Sequence, residues 1–387
     1  MKKICVLTGG RPDYGLLREA MFRIVESDEL QLQLIATGMH LSAEFGDTKD
    51  QIIEDGFCLD WEVESVLGSD TPSGVTKSIG LGIIGFSDAI RTLQPDCVLV
   101  LGDRYEIFSG VVASMVAGVP VAHIHGGEIT QGAIDENIRH AITKMSHLHF
   151  VATEVYRNRV IQLGEQPDRV YTVGALGIDG ITRLKLLDWQ GLTAQLGLQD
   201  CKKNVLVTFH PETIKYGVSV IHFEEVLGAL NELENTQIIF SLPNSDAEGR
   251  SLQKKIREFA KLKKNVKVFA SLGQLYYLSC LKHVDCVIGN SSSGLIEAPS
   301  LRTPTINVGD RQMGRVKADS VLDCAPQKDA IQEAIRSVYS SKMRQILRDV
   351  NNPYGQGGAS SAIVEILERE PLENLLRKPF FDLPHVS

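Results

Sequence analysis

The sequence predicts an α/β protein with two Rossmann-like, doubly wound domains that face a cleft. Short runs of β-branched residues alternate with longer amphipathic stretches along the whole chain, a pattern typical of parallel sheets covered by helices. The chain has 387 residues, which is too long for one compact core and fits two domains. Polar clusters follow the ends of most predicted strands, where open parallel sheets bind their ligands.

The first half of the chain contains six predicted strands. They are Ile4–Thr8, Leu32–Thr37, Cys97–Leu101, Val119–Ile124, His149–Ala152 and Val170–Val173. Helical spacing of apolar residues predicts helices over Tyr14–Ser27 and Asp135–Lys144. The apolar run over 107–124 is divided by Pro120, so we expect a helix followed by a strand and no membrane span there.

The second half contains five predicted strands. They are Val205–Phe209, Gln237–Leu242, Val266–Ala270, Cys286–Ile288 and Thr305–Val308. Helices are predicted over Glu224–Leu233, Asp329–Val338 and Ala359–Glu368. We therefore expect an N-terminal domain over 1–175, joined by residues 359–387, and a C-terminal domain over 176–358.

The charge balance argues against nucleic acid as a partner. The chain has 40 lysine and arginine residues against 48 aspartate and glutamate residues, a net charge of −8. This provides no basic field that could hold a phosphate backbone. A local basic pocket for a small phosphorylated molecule is compatible with the same balance.

Cysteine usage and the N-terminus indicate the compartment. The seven cysteines are scattered without Cys-x-x-Cys spacing, which predicts buried free thiols in a reducing environment. The first apolar run ends at Thr8-Gly9-Gly10 and is too short for a signal peptide. We therefore expect a cytoplasmic protein without membrane contact.

The polar clusters follow strands in both halves of the chain. In the first half they are TGGRPDYG (8–15), TGMH (37–40), LGDRYE (101–106) and HIHGGE (123–128). In the second half they are FHPET (209–213), LPNSDAEG (242–249), IGNSSSGLIE (288–297) and VGDRQMGR (308–315). Each half supplies one incomplete crevice, so we expect a single site between the two domains.

A serine-rich segment over 289–294 ends a predicted strand and opens a helix. Small residues such as Gly294 let the backbone approach a ligand, and the hydroxyls of Ser291 and Ser292 suit a phosphate or pyrophosphate. Glu297 fits an acceptor for ribose hydroxyls. The alternatives are serine capping of the helix and an exposed helical glutamate.

Arginines follow several strands at crevice positions. They are Arg11, Arg104, Arg311 and Arg315. A guanidinium group can hold a diphosphate through paired hydrogen bonds. Each arginine alone is better explained as a surface ion-pair partner, but their shared placement favours an anion site.

Carboxylates and imidazoles lie in the same loops. They are Asp103, His125, Glu128, Asp135, Glu136 and His210. Proton transfer at a sugar carbon needs such groups with shifted pKa values, one accepting and one donating a proton. Taken alone, Asp135 fits a helix N-cap better.

A metal site is an alternative for part of this set. The residues concerned are His123, His125, Glu128, Asp135 and His140. His123 and His125 alternate on a predicted strand and would share one face. The spacing does not fix a third ligand, so no metal is assigned.

Residues 80–85 match the dinucleotide pattern GxGxxG. They do not follow an apolar strand, and they lie inside a helical pattern that continues to Ile90. The glycines therefore indicate close helix packing, and no nicotinamide cofactor is expected.

Taken in order, the loops resemble the UDP-N-acetylglucosamine 2-epimerase family, especially its hydrolysing bacterial branch that makes N-acetylmannosamine for sialic acid synthesis. The resemblance rests on the blocks TGGRPDYG, LGDRYEIF, HIHGGE, DENIRHAITKMSHLH, FHPET, GNSSSGLIEAPS and INVGDRQMGR. It implies a fold of the glycosyltransferase-B type, with the nucleotide held mainly by the C-terminal domain.

The resemblance also implies residue roles. The positions implied to contact uridine diphosphate are Arg11, Arg104, His210, Asn244, Ser291, Ser292, Glu297 and Arg311. The positions implied to be catalytic are Asp103, Asp135 and His210. Some members carry an acid where this chain has His125, which leaves open the base that removes the C2 proton.

The implied reaction is elimination to a glycal followed by addition of water, with no cofactor. UDP-N-acetylglucosamine is the expected substrate, and UDP-N,N′-diacetylbacillosamine, which leads to legionaminic acid, is the alternative. A UDP-sugar glycosyltransferase and a nucleotide-sugar-binding regulator represent other classes. The family usually forms dimers or tetramers, so we expect a homodimer or homotetramer; feedback control by an activated sialic acid stays open.

Overall fold

The structure is a computed structural model. It describes residues 1–41, 48–68, 71–130, 134–211, 217–243 and 249–383. The chain divides into two compact units. The first contains Met1–Glu128, Ile134–Asp179 and Gly357–Ser387, and the second contains Ile129–Ala133 and Gly180–Gln356.

Each unit contains one parallel sheet. The first sheet has the order β3-β2-β1-β4-β5-β6-β7, formed by β1 (Lys2–Thr8), β2 (Leu30–Thr37), β3 (Trp61–Val63), β4 (Cys97–Leu101), β5 (Val121–Ile124), β6 (Leu148–Val151) and β7 (Val170–Thr172). The second sheet has the order β10-β9-β8-β11-β12-β13, formed by β8 (Lys203–Thr208), β9 (Thr236–Ser241), β10 (Val266–Phe269), β11 (Cys286–Gly289), β12 (Thr305–Val308) and β13 (Val321–Cys324).

Helices connect these strands. They are α1 (Arg11–Glu26), α2 (Lys49–Glu54), α3 (Pro72–Leu93), α4 (Tyr105–Val116), α5 (Ile134–Met145), α6 (Glu154–Gln162), α7 (Leu176–Arg183), α8 (Trp189–Leu196), α9 (Val218–Asn231), α10 (Gly249–Leu262), α11 (Gly273–His283), α12 (Ser293–Ile296), α13 (Lys328–Val338), α14 (Ser341–Asp349) and α15 (Ala359–Arg369).

Apolar layers cover both faces of the first sheet. One face packs against α1 and α15 through residues such as Leu17 and Ile363, and the other packs against α3 and α4 through Phe86 and Val111. Strands buried on both faces read as continuous apolar runs, which explains why the sequence pattern located them.

Asp179 anchors the start of α15. Its carboxylate accepts hydrogen bonds from the backbone N–H groups of Gly358 (2.7 Å), Ala359 (3.1 Å) and Ser360 (2.7 Å). A negative charge at a helix N-terminus satisfies amides that have no partner within the helix and interacts favourably with the helix dipole. The C-terminal helix is thereby fixed onto the first unit.

The winding reverses once in each sheet. In the first sheet the reversal lies between β1 and β4, and in the second it lies between β8 and β11. Helices leave the two strands toward opposite faces there, which opens a crevice at the carboxyl ends. Ile4 pairs with Cys97 and Thr208 pairs with Gly289, so the loops after these strands are neighbours.

The predicted class, with two Rossmann-like α/β domains, is confirmed, and each predicted strand has a counterpart in the structure. The sequence pattern missed β3 and β13, which lie at sheet edges and carry Glu62 and Asp323 within short runs. Helix α1 begins at Arg11 and not at Tyr14, because Pro12 is tolerated in a first helical turn. Helix α9 begins at Val218, earlier than predicted.

Two further expectations are met along the chain. The apolar run over 107–124 is a helix followed by a strand, α4 and β5. The GxGxxG segment lies inside α3, where an added Cβ at Gly82 would lie 2.8 Å from Ser109 of α4. At Gly85 it would lie 2.7 Å from Val63 of β3. These two glycines allow close packing, as predicted.

The seven cysteines are free. The buried ones are Cys5, Cys97, Cys280, Cys286 and Cys324. Burial was wrongly expected for Cys58, which is exposed in the connection between α2 and β3, and for Cys201, which is partly exposed before β8. Within the described ranges, no helix combines the length and apolar character needed to cross a bilayer.

Gly289 supports the second crevice and yields a stability prediction. Its φ is +143°, and an added Cβ would lie 2.0 Å from the Thr208 carbonyl oxygen on the neighbouring strand. Because that atom is backbone, Gly289→Ala is expected to lower the free energy of unfolding by roughly 3 kcal/mol. Urea denaturation measures this loss.

Gly56→Ala is the matched control. Gly56 also has a positive φ, +90°, but nothing lies within 4 Å of its added Cβ. This variant carries conformational strain without a clash and is expected to lose about 1 kcal/mol. Equal losses in the two variants would contradict the role given to the Thr208 contact.

Candidate functional site

The loop after β1 is held by Asp13 of α1. One carboxylate oxygen accepts hydrogen bonds from the Gly9 backbone N–H (2.7 Å) and the Thr8 hydroxyl (3.0 Å). The Thr8 hydroxyl also lies 3.0 Å from Nε2 of buried His40. Burial raises the pKa of Asp13 and lowers the pKa of His40 to about 4. The loop thus has a fixed conformation that leaves Arg11 exposed.

Glu106 fills the space beneath this loop. It lies in the first turn of α4, is 2% exposed and accepts a hydrogen bond from Nε of Arg104 (3.2 Å). An added Cβ would lie 2.7 Å from the Glu106 side chain at Gly9 and 3.1 Å from it at Gly38. Burial raises the pKa of Glu106, and the charge of Arg104 opposes that rise. Glu106 therefore positions the Arg104 guanidinium.

Asp103 and Asp135 form a second group in the first unit. Asp103 follows β4 and makes an ion pair with buried Arg139, while Asp135 lies in the first turn of α5. Burial, and next the negative charge of Asp103, raise the pKa of Asp135 to about 6, against the opposing charge of Arg104. A carboxyl group with this pKa can exchange protons near neutral pH. Because Ile134 is already helical, Asp135 does not occupy the N-cap position.

His125 and Glu128 are buried in the turn after β5. His125 has a φ of +64°, with its Nδ1 3.4 Å from a carboxylate oxygen of Glu128. Its Nε2 accepts a long hydrogen bond, 3.4 Å, from the backbone N–H of Leu176. Gly127 keeps the turn tight, because an added Cβ there would lie 2.5 Å from the carbonyl oxygen of Tyr156.

His123 supports the same turn as a neutral imidazole. Its Nε2 lies 2.8 Å from the Gly102 carbonyl oxygen and its Nδ1 lies 3.1 Å from the Thr143 hydroxyl. Burial lowers its pKa to about 3. The expectation that His123 and His125 share a strand face is wrong, because β5 ends at Ile124 and His125 adopts a left-handed conformation. In the described part of the chain, no three His, Cys, Asp or Glu side chains form a potential metal-binding group.

Asn290 organises the corresponding loops of the second unit. Its side chain accepts a hydrogen bond from the His210 backbone N–H (2.7 Å) and donates one to the His210 carbonyl oxygen (2.8 Å). The backbone carbonyl oxygen of Asn290 accepts hydrogen bonds from the side chains of Arg311 (2.9 Å) and Gln312 (2.8 Å). Burial, and next the charge of Arg311, lower the pKa of His210 to about 3. A neutral imidazole and a guanidinium are therefore fixed near each other.

The serine-rich segment continues from Asn290. Ser291 and Ser292 are half-buried and precede the single turn of α12. An added Cβ at Gly294 would lie 2.6 Å from the Thr305 side chain, whose hydroxyl donates to the Gly294 carbonyl oxygen (2.8 Å). Gly294 thus lets α12 pack closely on β12, and half-buried Glu297 follows that turn.

Three sequence-predicted residues fall outside these groups. Arg315 donates to the backbone oxygen of Ile129 (2.8 Å) and to the hydroxyl of Thr130 (3.3 Å) within the second unit. A carboxylate oxygen of Glu136 lies 3.2 Å from Nε2 of His140, one turn along α5. Asn244 lies outside the described residues.

The structure also contains polar residues that the sequence analysis did not single out. They are Asp13, Glu106, Asn290 and Gln312. All four lie inside the polar clusters that follow strands, so the sequence carried a signal for their region. Their burial and their partners depend on loop conformations that have no periodic pattern.

Comparison with known proteins assigns the chain to a family. The sequence matches the profile described as UDP-N-acetylglucosamine 2-epimerase over residues 23–368. The chain belongs to the UDP-N-acetylglucosamine 2-epimerase family. The resemblance noted in the sequence is thereby confirmed.

Similar proteins span the whole chain. Polysialic acid biosynthesis protein P7 of Escherichia coli is 38% identical over 389 residues, covering 100% of this chain and 99% of the relative. GDP/UDP-N,N′-diacetylbacillosamine 2-epimerase (hydrolyzing) of Campylobacter jejuni is 37% identical and covers 99% of both. UDP-GlcNAc 2-epimerase of Neisseria meningitidis, solved bound to UDP-GlcNAc, has the same fold, with a TM-score of 0.82, 20% identity and coverage of 96% of this chain and 100% of that one.

The raised pKa of Asp135 leads to a titration prediction. In the wild type its carboxyl group is expected to titrate near pH 6. Asp103→Asn removes the neighbouring negative charge and leaves the positive charge of Arg139 without its partner. Both changes favour the ionised form of Asp135, so its pKa should fall. Carboxyl ¹³C NMR measures the pH midpoint of the Asp135 titration. The Asp135 resonance is assigned by its absence from the spectrum of Asp135→Asn.

Glu136→Gln is the control for this titration. It removes a carboxylate from the same helix turn that is paired with His140. The Asp135 midpoint should stay near its wild-type value in this variant. A midpoint that does not move in Asp103→Asn would show that Asp103 does not govern the pKa of Asp135.

Proposed function

We propose that this protein is a hydrolysing 2-epimerase that converts UDP-N-acetylglucosamine and water into N-acetylmannosamine and UDP for sialic acid-type sugar biosynthesis. The observation that carries the proposal is Asp135, whose pKa is raised to about 6 beside Asp103. A carboxylate of raised basicity suits removal of a proton from a sugar carbon. Membership of the family supports the reaction class.

The proposed first step is an elimination. Ionised Asp135 takes the C2 proton, the electrons of that bond form a C1–C2 double bond, and the bond from C1 to the diphosphate oxygen breaks. The products are a glycal and UDP. Asp103, held by Arg139, keeps the pKa of Asp135 raised and so makes it a stronger base.

The proposed second step adds water to the glycal. The oxygen of a water molecule bonds to C1. A proton is added to C2 on the face opposite to the one from which the first step removed a proton, and this inverts the configuration at C2. The proposed proton donor is the pair of His125 and Glu128, whose side chains contact each other at 3.4 Å. An imidazole and a carboxyl group are both side chains that can hold and transfer a proton.

The diphosphate leaves with negative charge, which cationic and hydrogen-bonding groups stabilise. The proposed uridine diphosphate contacts are Arg11, Arg104, His210, Asn244, Ser291, Ser292, Gly294, Glu297 and Arg311. His210 is neutral at physiological pH, so it would act as a hydrogen-bonding group while Arg311 supplies the charge. His210 is also proposed to take part in catalysis by stabilising the leaving group.

A second candidate substrate is UDP-N,N′-diacetylbacillosamine, the intermediate on a route to legionaminic acid. The Campylobacter relative, named for that sugar, is 37% identical over nearly the full length. The two sugars differ at C4 and C6, so the proposed chemistry of Asp135 at C2 applies to both. The choice between them is a matter of measured specificity.

Incubation with each UDP-sugar in heavy water tests the proposal. We expect free N-acetylmannosamine carrying deuterium at C2, together with UDP, when UDP-N-acetylglucosamine is supplied; NMR detects both. Turnover of the bacillosamine nucleotide alone would support the second candidate. If both nucleotides stay intact, or if sugar is transferred without deuterium at C2, the 2-epimerase proposal is wrong and a glycosyltransferase becomes the better interpretation.

Asp135→Asn is the companion variant. It should lower kcat by at least about 10³-fold while UDP binding changes little, because the amide cannot accept the C2 proton. Asp168→Asn is the matched control, since Asp168 is exposed in the connection before β7. Full activity in Asp135→Asn would remove that residue from the mechanism.

The role of Asn290 generates a binding prediction. Asn290→Asp keeps the side-chain size but places an acceptor against the His210 carbonyl oxygen. We expect UDP to bind about tenfold more weakly, because the backbone that carries His210 loses the hydrogen bond donated by the Asn290 side-chain amide. Isothermal titration calorimetry measures the affinity, and Asn158→Asp on the exposed side of α6 is the control. Unchanged affinity would contradict the positioning role.

The remaining features of the proposal are the partner, the compartment, the cofactor and the oligomeric state. The partner is a small nucleotide sugar, and the reaction is proposed to take place in the cytoplasm. The route uses acid–base residues, so neither a metal ion nor a nicotinamide is assigned to it. The active form is proposed to be a homodimer or homotetramer.

A further inference from the structure

Glu165 is a buried carboxylate that the proposed reaction does not use. It lies between α6 and β7, is 1% exposed and accepts a hydrogen bond from Nζ of Lys144 (2.8 Å). Its other oxygen lies 3.0 Å from Nε2 of buried His149, and Nζ of Lys378 lies 3.0 Å from that same oxygen. Burial raises the pKa of Glu165, but the hydrogen bond with His149 and the two ammonium groups outweigh it and lower that pKa to about 2. Glu165 is therefore ionised, and a buried charge of this kind depends on its partners.

Lys378 connects this carboxylate to the end of α5. Besides pairing with Glu165, its Nζ donates hydrogen bonds to the backbone oxygens of Lys144 (2.5 Å) and Ser146 (2.6 Å). The last carbonyl groups of a helix have no partner within the helix, and a cation placed there interacts favourably with the helix dipole. The Lys378 side chain is only 14% exposed, so these contacts replace water around its ammonium group.

The segment over 375–381, which we call the strap, is fixed to the connection between α6 and β7. The backbone N–H of Phe381 donates to the carbonyl oxygen of Gly164 (2.9 Å). The Phe380 ring lies against Gly164, where an added Cβ would overlap it, and its centre is 4.6 Å from Nζ of Lys144. These contacts all lie within the first unit. The strap thus presents its lysine to α5 from a backbone that is held in place.

Helix α5 carries two residues of the proposed active site, Asp135 in its first turn and Arg139, which pairs with Asp103. Apolar packing of Ile138 and Ile142 holds the helix against the first sheet. Such packing is non-directional and does not fix the position of a helix along its axis, whereas polar contacts at the helix ends do. The 12 residues of α5 form a rod only about 18 Å long, so a shift of its last turn also moves its first turn.

We propose that Lys378 is a positioning residue for the active site: by holding the C-terminal end of α5, it fixes the distance between Asp135 and Asp103. This role rests on the proposed function, in which Asp135 is the base. A misplacement of about 1 Å at a reacting group can cost roughly 100-fold in rate, so a contact at the far end of α5 affects turnover. The strap thereby makes a segment that follows the last helix part of the catalytic geometry.

Lys378→Met tests the role in turnover, because it keeps an unbranched side chain and removes the ammonium group. We expect kcat with UDP-N-acetylglucosamine to fall about tenfold while KM changes less than about twofold, since the groups proposed to bind UDP lie elsewhere. Lys378→Arg should recover most of kcat because it keeps the charge. Arg377→Met is the matched control, since Arg377 is exposed in the same strap. An unchanged kcat in Lys378→Met, or an equal loss in Arg377→Met, would overturn the role.

The titration of Asp135 tests the same role without turnover. In Lys378→Met the carboxyl ¹³C midpoint of Asp135 should fall by at least about half a pH unit, because the group becomes less buried and more distant from Asp103. A lower midpoint in a protein that turns over neither UDP-sugar would support the positioning role and count against the proposed function alone. A lower Tm with an unchanged midpoint would overturn the positioning role, because the strap would then contribute only to stability.

Glu165→Gln tests whether Lys378 acts through the buried carboxylate. It keeps the size of the side chain and removes the charge that Lys378 faces, so kcat and the Asp135 midpoint should fall as in Lys378→Met. The double variant should be about as active as either single variant, since each substitution breaks the same contact. Glu373→Gln is the control, because Glu373 is exposed. Losses of kcat that multiply in the double variant would overturn the shared action of Glu165 and Lys378.

Discussion

Two pairs of neighbouring parallel strands, β1 with β4 and β8 with β11, determine where polar chemistry is located in this protein. At each pair the sheet changes its direction of winding, so helices diverge and leave the carboxyl ends of the strands open. The loops that follow are then free to carry side chains with functions other than packing. The clusters that pack against the faces of the two sheets consist of apolar side chains.

Each crevice is stabilised by a polar side chain that hydrogen-bonds to backbone groups of the loop. Asp13 holds the loop after β1, and Asn290 holds the loop after β8. Burying such groups is unfavourable unless their hydrogen bonds are made. The residues that present charge, such as Arg11 and Arg311, therefore stand on loops of fixed conformation, and less conformational freedom is lost when a ligand binds.

The sequence predicted most helices and strands and the loops that carry the polar clusters. It did not predict which side chains within those loops contact each other. Strands buried on both faces have an unmistakable apolar pattern, while the edge strands β3 and β13 do not. Glu106 lies beside Gly9 and Gly38, and Asn290 pairs with His210 from 80 positions away. Contacts between distant loops have no periodic signature, and for that reason the inward orientation of these side chains was not predicted.

The attachment of α15 by Asp179 has a consequence for biosynthesis. The second unit is almost continuous in sequence, over Gly180–Gln356, whereas the first unit is completed only by residues from Gly357 onward. During translation the segment from Gly357 onward emerges after the whole second unit, so part of the apolar surface of the first unit stays uncovered until then. The first unit therefore completes its core only after the second unit has been synthesised, and its uncovered surface is a site where the nascent chain can aggregate.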